Sequence, residues 1–143
     1  MARGERLTRV LPVGLAAALC LLGGRVVGPA PVPAARRALA AATLNGIVYV
    51  AGGWNGEATQ LARVDAYDPI GQVWRPAPAL AIARSQHSLV AARERLWAVA
   101  GWSAERGLVA EIESWAPGEA AWRTVTRLPT PRREPGVAVL GGR

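Results

Sequence analysis

Few residues in this chain are of a type that does chemistry, and their spacing decides which kind. His87 is the single histidine, so no second imidazole can share a metal with it, and a general base would need an orienting partner. Asp65 and Glu113 stand 48 residues apart in matching contexts, Val64-Asp65-Ala66-Tyr67 and Ile112-Glu113-Ser114-Trp115. That makes them equivalent positions in two copies of one unit, each a partner for a repeated arginine, not a facing pair of catalytic carboxylates. Cys20 is the one cysteine and lies in an apolar leader, so the remainder holds no internal disulfide and no thiolate metal site. Gly52-Gly53 and Gly101 are not followed by the helix that a phosphate cradle requires. No catalytic residue, metal set or cofactor is therefore expected.

What remains is recognition chemistry. Arg36, Arg84 and Arg132 recur at 48-residue intervals, and Trp54-Asn55 and Trp102 share that interval. Guanidinium forks match carboxylates, and Arg and Trp are the residues favoured at binding hot spots. The expected ligand or partner site is therefore Arg36, Arg84, Arg132, Trp54, Asn55 and Trp102. The competing reading gives each arginine the task of holding its own loop. Arg84→Ala separates the two: loss of an acidic partner with the fold intact marks a binding arginine, and unfolding marks a structural one.

The elements that must position these residues follow from the same repeat. Val48 to Trp54 returns as Leu96 to Trp102, Pro69 as Pro117, Trp74-Arg75 as Trp122-Arg123, and Leu80 as Leu128, without a gap. A fixed period of this length is the signature of a repeat architecture. Asn45-Gly46 between apolar runs signals a tight hairpin, because a two-residue turn needs positive φ at both positions. Strands are expected near 38–44, 47–51 and 61–68, with a fourth centred on Val73-Trp74 and closed by Pro76 and Pro78. In the second copy they fall near 85–92, 95–100 and 109–115, with Trp122 marking the fourth. Four short strands in 48 residues make one blade of a β-propeller.

The residues resemble the kelch repeat. Its diglycine, and a Tyr and a Trp separated by six residues, correspond here to Gly52-Gly53, Tyr67 and Trp74, and more loosely to Ala100-Gly101, Trp115 and Trp122. The resemblance implies an all-β chain of kelch-type blades, four-stranded antiparallel sheets in an incomplete propeller. It implies that Trp74 and Trp122 pack between neighbouring sheets, with Trp74→Ala costing roughly 3–5 kcal/mol if buried, and that His87 is structural. The resemblance also puts the strand D-to-A and B-to-C loops on one face, where the Arg and Trp set would meet. The function it implies is a non-catalytic binding module for a protein or carbohydrate ligand. The alternative is a piece of a kelch-type propeller enzyme acting on sugars, mutarotase-like or oxidase-like. The copper-radical oxidase chemistry of such propellers needs a Cys, two Tyr and two His, which residues beyond the leader do not supply.

Composition bounds the rest. The chain has 143 residues, 51% of them hydrophobic, with 16 Gly and 11 Pro, enough for one domain rich in turns. All 17 basic residues are Arg and the formal net charge is +7. From Val26 onward 13 Arg face 9 acids without forming a block, so no nucleic-acid patch is expected. Arg3, Arg6 and Arg9 precede the apolar run Val10–Leu22, which fits a secretory signal and is too short for a membrane span. The chain thus divides into 1–28, a signal peptide or signal anchor, and 29–35, a Pro/Ala linker. Repeats follow at 36–83 and 84–131, and a third starts at 132–143. Export to a periplasmic or extracellular location is expected, with membrane contact only through an uncleaved leader. Two repeats and part of a third fall short of the four to eight blades of a closed propeller. The chain is accordingly expected to be a fragment of a longer propeller or to complete one by self-association.

Overall fold

The computed structural model describes residues 30–57 and 59–141 of the chain. Residues 1–28 with Cys20, on which the expected leader and its export signal rest, lie outside them. Ten strands and no helix occupy the described residues, and so no helix there is long and apolar enough to cross a membrane. The first sheet joins β1 (Ala40–Leu44), β2 (Ile47–Ala51), β3 (Val64–Asp68) and β4 (Val73–Ala77) in chain order, every pair antiparallel. The second joins β5 (Ser88–Ala92), β6 (Arg95–Val99), β9 (Glu111–Trp115) and β10 (Arg123–Arg127) the same way. Between β6 and β9 a small hairpin, β7 (Trp102–Ser103) with β8 (Gly107–Leu108), stands outside the sheet. The fold is all-β, built of four-stranded blades.

Turn chemistry sets the hairpins. Asn45 and Gly46 take φ of 52° and 77°, the positive pair that a type I′ turn demands. Arg93 and Glu94 adopt 51° and 57° in the second blade, although neither side chain favours that region. The fourth strand of blade one runs through Pro76 instead of stopping at it. Pro76 lies on β4, the outer edge, opposite Asp65 of β3, where a missing N–H can face solvent. Trp122 sits just before β10, not in it.

Strand pleating divides each blade into two faces. Blade one turns Leu44, Tyr49, Ala51 and Val64 toward blade two, which answers with Leu89, Leu96, Ala98, Trp115 and Trp122; all are buried. The Tyr49 ring meets Trp115 edge-on at 5.6 Å, and Trp115 stacks on Trp122 at 6.0 Å. Inner strands β1 and β5 lie side by side. Trp74 departs from the expected core position. It is half-buried, because it lies on the face of blade one turned away from blade two, and its indole N–H donates to Ala30 O at 2.7 Å. Trp122 is 4% exposed and donates to Pro78 O at 2.8 Å. Ala30 and Pro78 are 48 residues apart, so the same bond closes both blades.

The third repeat begins in register but builds no strand among the described residues. Arg132 O accepts from Gly101 N as Arg84 O accepts from Gly53 N, both at 2.9 Å. Glu134 N donates to Gln86 O as Gln86 N donates to Ala38 O. Ala38, Gln86 and Glu134 all share φ of 53°.

Candidate functional site

Two of the three arginines expected to greet a ligand turn inward. The Arg84 side chain is 0% exposed and its Nη2 lies 2.5 Å from Glu113 Oε1, also 0% exposed. Nη1 donates to Ala100 O and Glu111 O, both at 2.9 Å. Glu113 in turn accepts from the backbone N–H of Ala81 and Ile82 at 2.6 and 3.0 Å. One carboxylate thus ties the linker between the blades to the interior of blade two. Burial pulls the Arg84 pKa below the ordinary arginine value, and the charge of Glu113 offsets only part of that.

Arg36 repeats the arrangement with different partners. Its side chain is 0% exposed, Nη1 lies 2.8 Å from Asp65 Oδ2, and Nη2 donates to Val50 O at 3.1 Å. The Nη1 contact is one of charge, since Nη1 and Nε of Arg36 make no hydrogen bond. Arg63 supplies the directed contact instead, its Nε and Nη2 gripping the Asp65 carboxylate at 2.8–3.0 Å. Burial alone would raise the Asp65 pKa, but the hydrogen bonds from Arg63 and the charges of Arg36 and Arg63 bring it below the usual carboxylate value. Neither Arg36 nor Arg84 presents a donor to solvent, so both are corrected from ligand-facing to structural. Arg132 is exposed, with Nε donating to Thr130 O at 3.3 Å.

The outward arginine is the next residue, because neighbours in extended chain point to opposite sides. Arg37 is exposed, and its guanidinium lies 4.0 Å from the centroid of the Trp54 ring. Backbone bonds in both directions between Arg37 and Trp54 fix the stack, each at 2.9 Å. The Trp54 indole N–H donates to Glu57 O, and Asn55 Oδ1 accepts from Glu57 N at 3.1 Å, which rounds off an exposed loop. One blade on, Ser85 and Trp102 exchange the equivalent backbone pair at 2.9 and 2.8 Å.

Between these two pairs lies a cleft of about 350 Å³ lined by Arg37, Trp54, Gln60, Ser85, Gln86 and Trp102. It adjoins a second hollow bounded by Arg36, Arg37, Trp54 and Asn55. Gln60 Oε1 accepts from Ala104 N at 2.5 Å, which joins the loops of the two blades. Gln86 Nε2 donates to Glu134 Oε1 at 2.7 Å. The structure therefore brings Trp54, Asn55 and Trp102 to one face and adds Arg37, Gln60, Ser85 and Gln86. Strand alternation puts Arg36 and Arg37 on opposite sides without saying which is outward, whereas Gln60 and Gln86 carry no sequence signal.

The chemistry on offer is stacking, cation–π attraction and hydrogen bonding. His87 is 6% exposed, and neither ring nitrogen finds a partner. It is wedged between glycines: a Cβ on Gly52 would lie 2.7 Å from its Cε1, and one on Gly101 2.9 Å from its Cβ. Burial, reinforced by the charge of Arg84, holds its pKa down to about 3. Among the described residues no three His, Cys, Asp or Glu side chains gather as a metal site would need.

Comparison with known families gives one match: residues 35–81 fit the family model described as the kelch motif. That span takes in the whole first blade, from the residue before Arg36 to the one before Ile82. No curated protein matches the chain.

Proposed function

We propose that this chain, which carries a kelch repeat, is a non-catalytic binding module whose ligand enters the cleft between Trp54 and Trp102. The observation that carries this reading is the Arg37–Trp54 stack, held open toward solvent at 4.0 Å beside a second tryptophan. Indoles and a guanidinium held by backbone bonds give up little side-chain freedom on binding, a property shared by interface hot spots. The neighbouring amides of Gln60 and Gln86 suit the hydroxyl, amide and carboxylate groups of a protein or carbohydrate surface. Export, read from the leader, fits a partner outside the cytoplasm and belongs to the same proposal.

Catalysis on a sugar has less support. The single histidine is buried, with no hydrogen bond to orient it. The test is a glycan and acidic-peptide array probed with the chain and with Arg37→Ala and Trp102→Ala variants. The reading expects a retained class of ligand that both variants lose by tenfold or more. Retention unchanged in both variants, at melting temperatures equal to the parent, would place the binding face elsewhere.

A further inference from the structure

The contact that joins the two blades inside the chain is half-built twice more on its outside. Within the chain, the Tyr49 face of blade one meets the Trp115–Trp122 stack of blade two. Forty-eight residues after Tyr49 stands Trp97, on the far face of blade two, half-buried above a hollow of about 290 Å³ that Val90, Ile112 and Val139 also line. Forty-eight residues before the Trp115–Trp122 stack stand Tyr67 and Trp74, on the far face of blade one. They are half-buried too, with rings 4.9 Å apart. One face therefore carries the Tyr49-type ring without its stack, and the other carries the stack without its ring.

We infer that a second copy of this chain docks head to tail, the Tyr67–Trp74 face of one copy covering the Trp97 face of the next. The interface continues one already present in the molecule, and its ring-to-stack contact is that of Tyr49 with Trp115. The backbone provides for it as well. Gly101 N and Gln86 O, which Gly53 N and Ala38 O match in the first blade, already hold Arg132 O and Glu134 N in the third-blade position. An incoming blade brings its own Arg36 and Ala38 to those two atoms and displaces residues 132–139, which no strand pairing secures. Such an interface is heterologous, because different surfaces meet, and it closes only as a ring. At two blades among the described residues of each chain, two to four copies give the four to eight blades of known propellers.

The mixing of two blocked variants tests this on the full chain. Light scattering of the parent is expected to give a particle of two to four chains. Trp97→Arg and Tyr67→Arg, each blocking one face, are each expected to give one-chain mass. Their equimolar mixture is expected to give a two-chain particle, since one intact Trp97 face then meets one intact Tyr67–Trp74 face. That recovery also shows that both variants fold, and Val90→Glu with Trp74→Arg provides a second pair should either first variant fail to fold. A one-chain parent overturns the inference, as does a variant of parental mass or a mixture that stays at one-chain mass. Association driven by the leader or by some other surface would give the second of these.

Discussion

Arg84 and Glu113 sit opposite each other with no solvent access to either side chain. Removing one partner from a buried pair strands the other charge, at a cost of roughly 3–5 kcal/mol. Arg84→Ala is therefore expected to lower the stability by about that amount in urea denaturation, and Glu113→Gln to do likewise. A loss under 1 kcal/mol in both would show that the pair is wetter than its geometry. His87 gives a pH signature of its own. Folded, it stays neutral down to about 3, whereas unfolded it takes up a proton near 6.5. The unfolded state thus binds more protons between those values, and stability falls as pH drops from about 6.5 toward 3, then levels off. At 1.36 kcal/mol per unit the whole effect is on the order of 3–5 kcal/mol. His87→Leu, which places there the residue found at position 39, should flatten that slope in a pH series of denaturation curves. The Asp65 contribution, from a carboxylate held below its usual pKa, is lost further into acid.

At the scale of the blade, the diglycine is a packing requirement. A Cβ on Gly52 would stand 2.4 Å from the carbonyl oxygen of Arg84 in the next repeat, and one on Gly53 would stand 3.0 Å from Arg37 O. Gly52 also takes φ of 61°. Gly52→Ala should cost several kcal/mol, since backbone cannot move aside. Ala100 occupies the same place in blade two at φ 62°. Ala100→Gly should relieve left-handed strain and stabilise by about 1 kcal/mol, measured by thermal melting. The two indoles that close the blades should also part company. Trp122→Ala empties a buried stack and should cost about 3–5 kcal/mol, while Trp74→Ala, on the open face, should cost less than half of that. These elements were legible in sequence because turns and β-branched runs report on their own neighbourhood, as at Asn45-Gly46 and Ile47–Val50. The β7–β8 hairpin was not, for Trp102-Ser103 and Gly107-Leu108 are too short to show alternation. Nor was the half-burial of Trp74, since a repeat position says what a residue faces and not whether a neighbour is there.

Across the whole molecule a 48-residue step carries one set of contacts from linker to tail: Ala30 and Pro78 accept from Trp74 and Trp122, and Arg84 and Arg132 accept from Gly53 and Gly101. Register was the most legible property of the chain, because many intervals join residues of matching type, as Trp54 with Trp102 and Arg36 with Arg84 and Arg132. The candidate site was legible only in part. Trp54, Asn55 and Trp102 do line adjoining hollows, but identity alone could not say which of Arg36 and Arg37 points inward. That depends on Asp65 lying across the blade, a contact between residues far apart in sequence. Thermal melting of Arg36→Ala beside Arg37→Ala tests this division of labour between adjacent arginines without any ligand. Arg36→Ala, which leaves Asp65 with Arg63 alone, should lower the melting temperature by about 10 °C or more, on a scale of several degrees per kcal/mol. Arg37→Ala should stay within about 2 °C of the parent, because an exposed cation–π stack contributes little. Equal losses, or a larger loss for Arg37→Ala, would contradict the account.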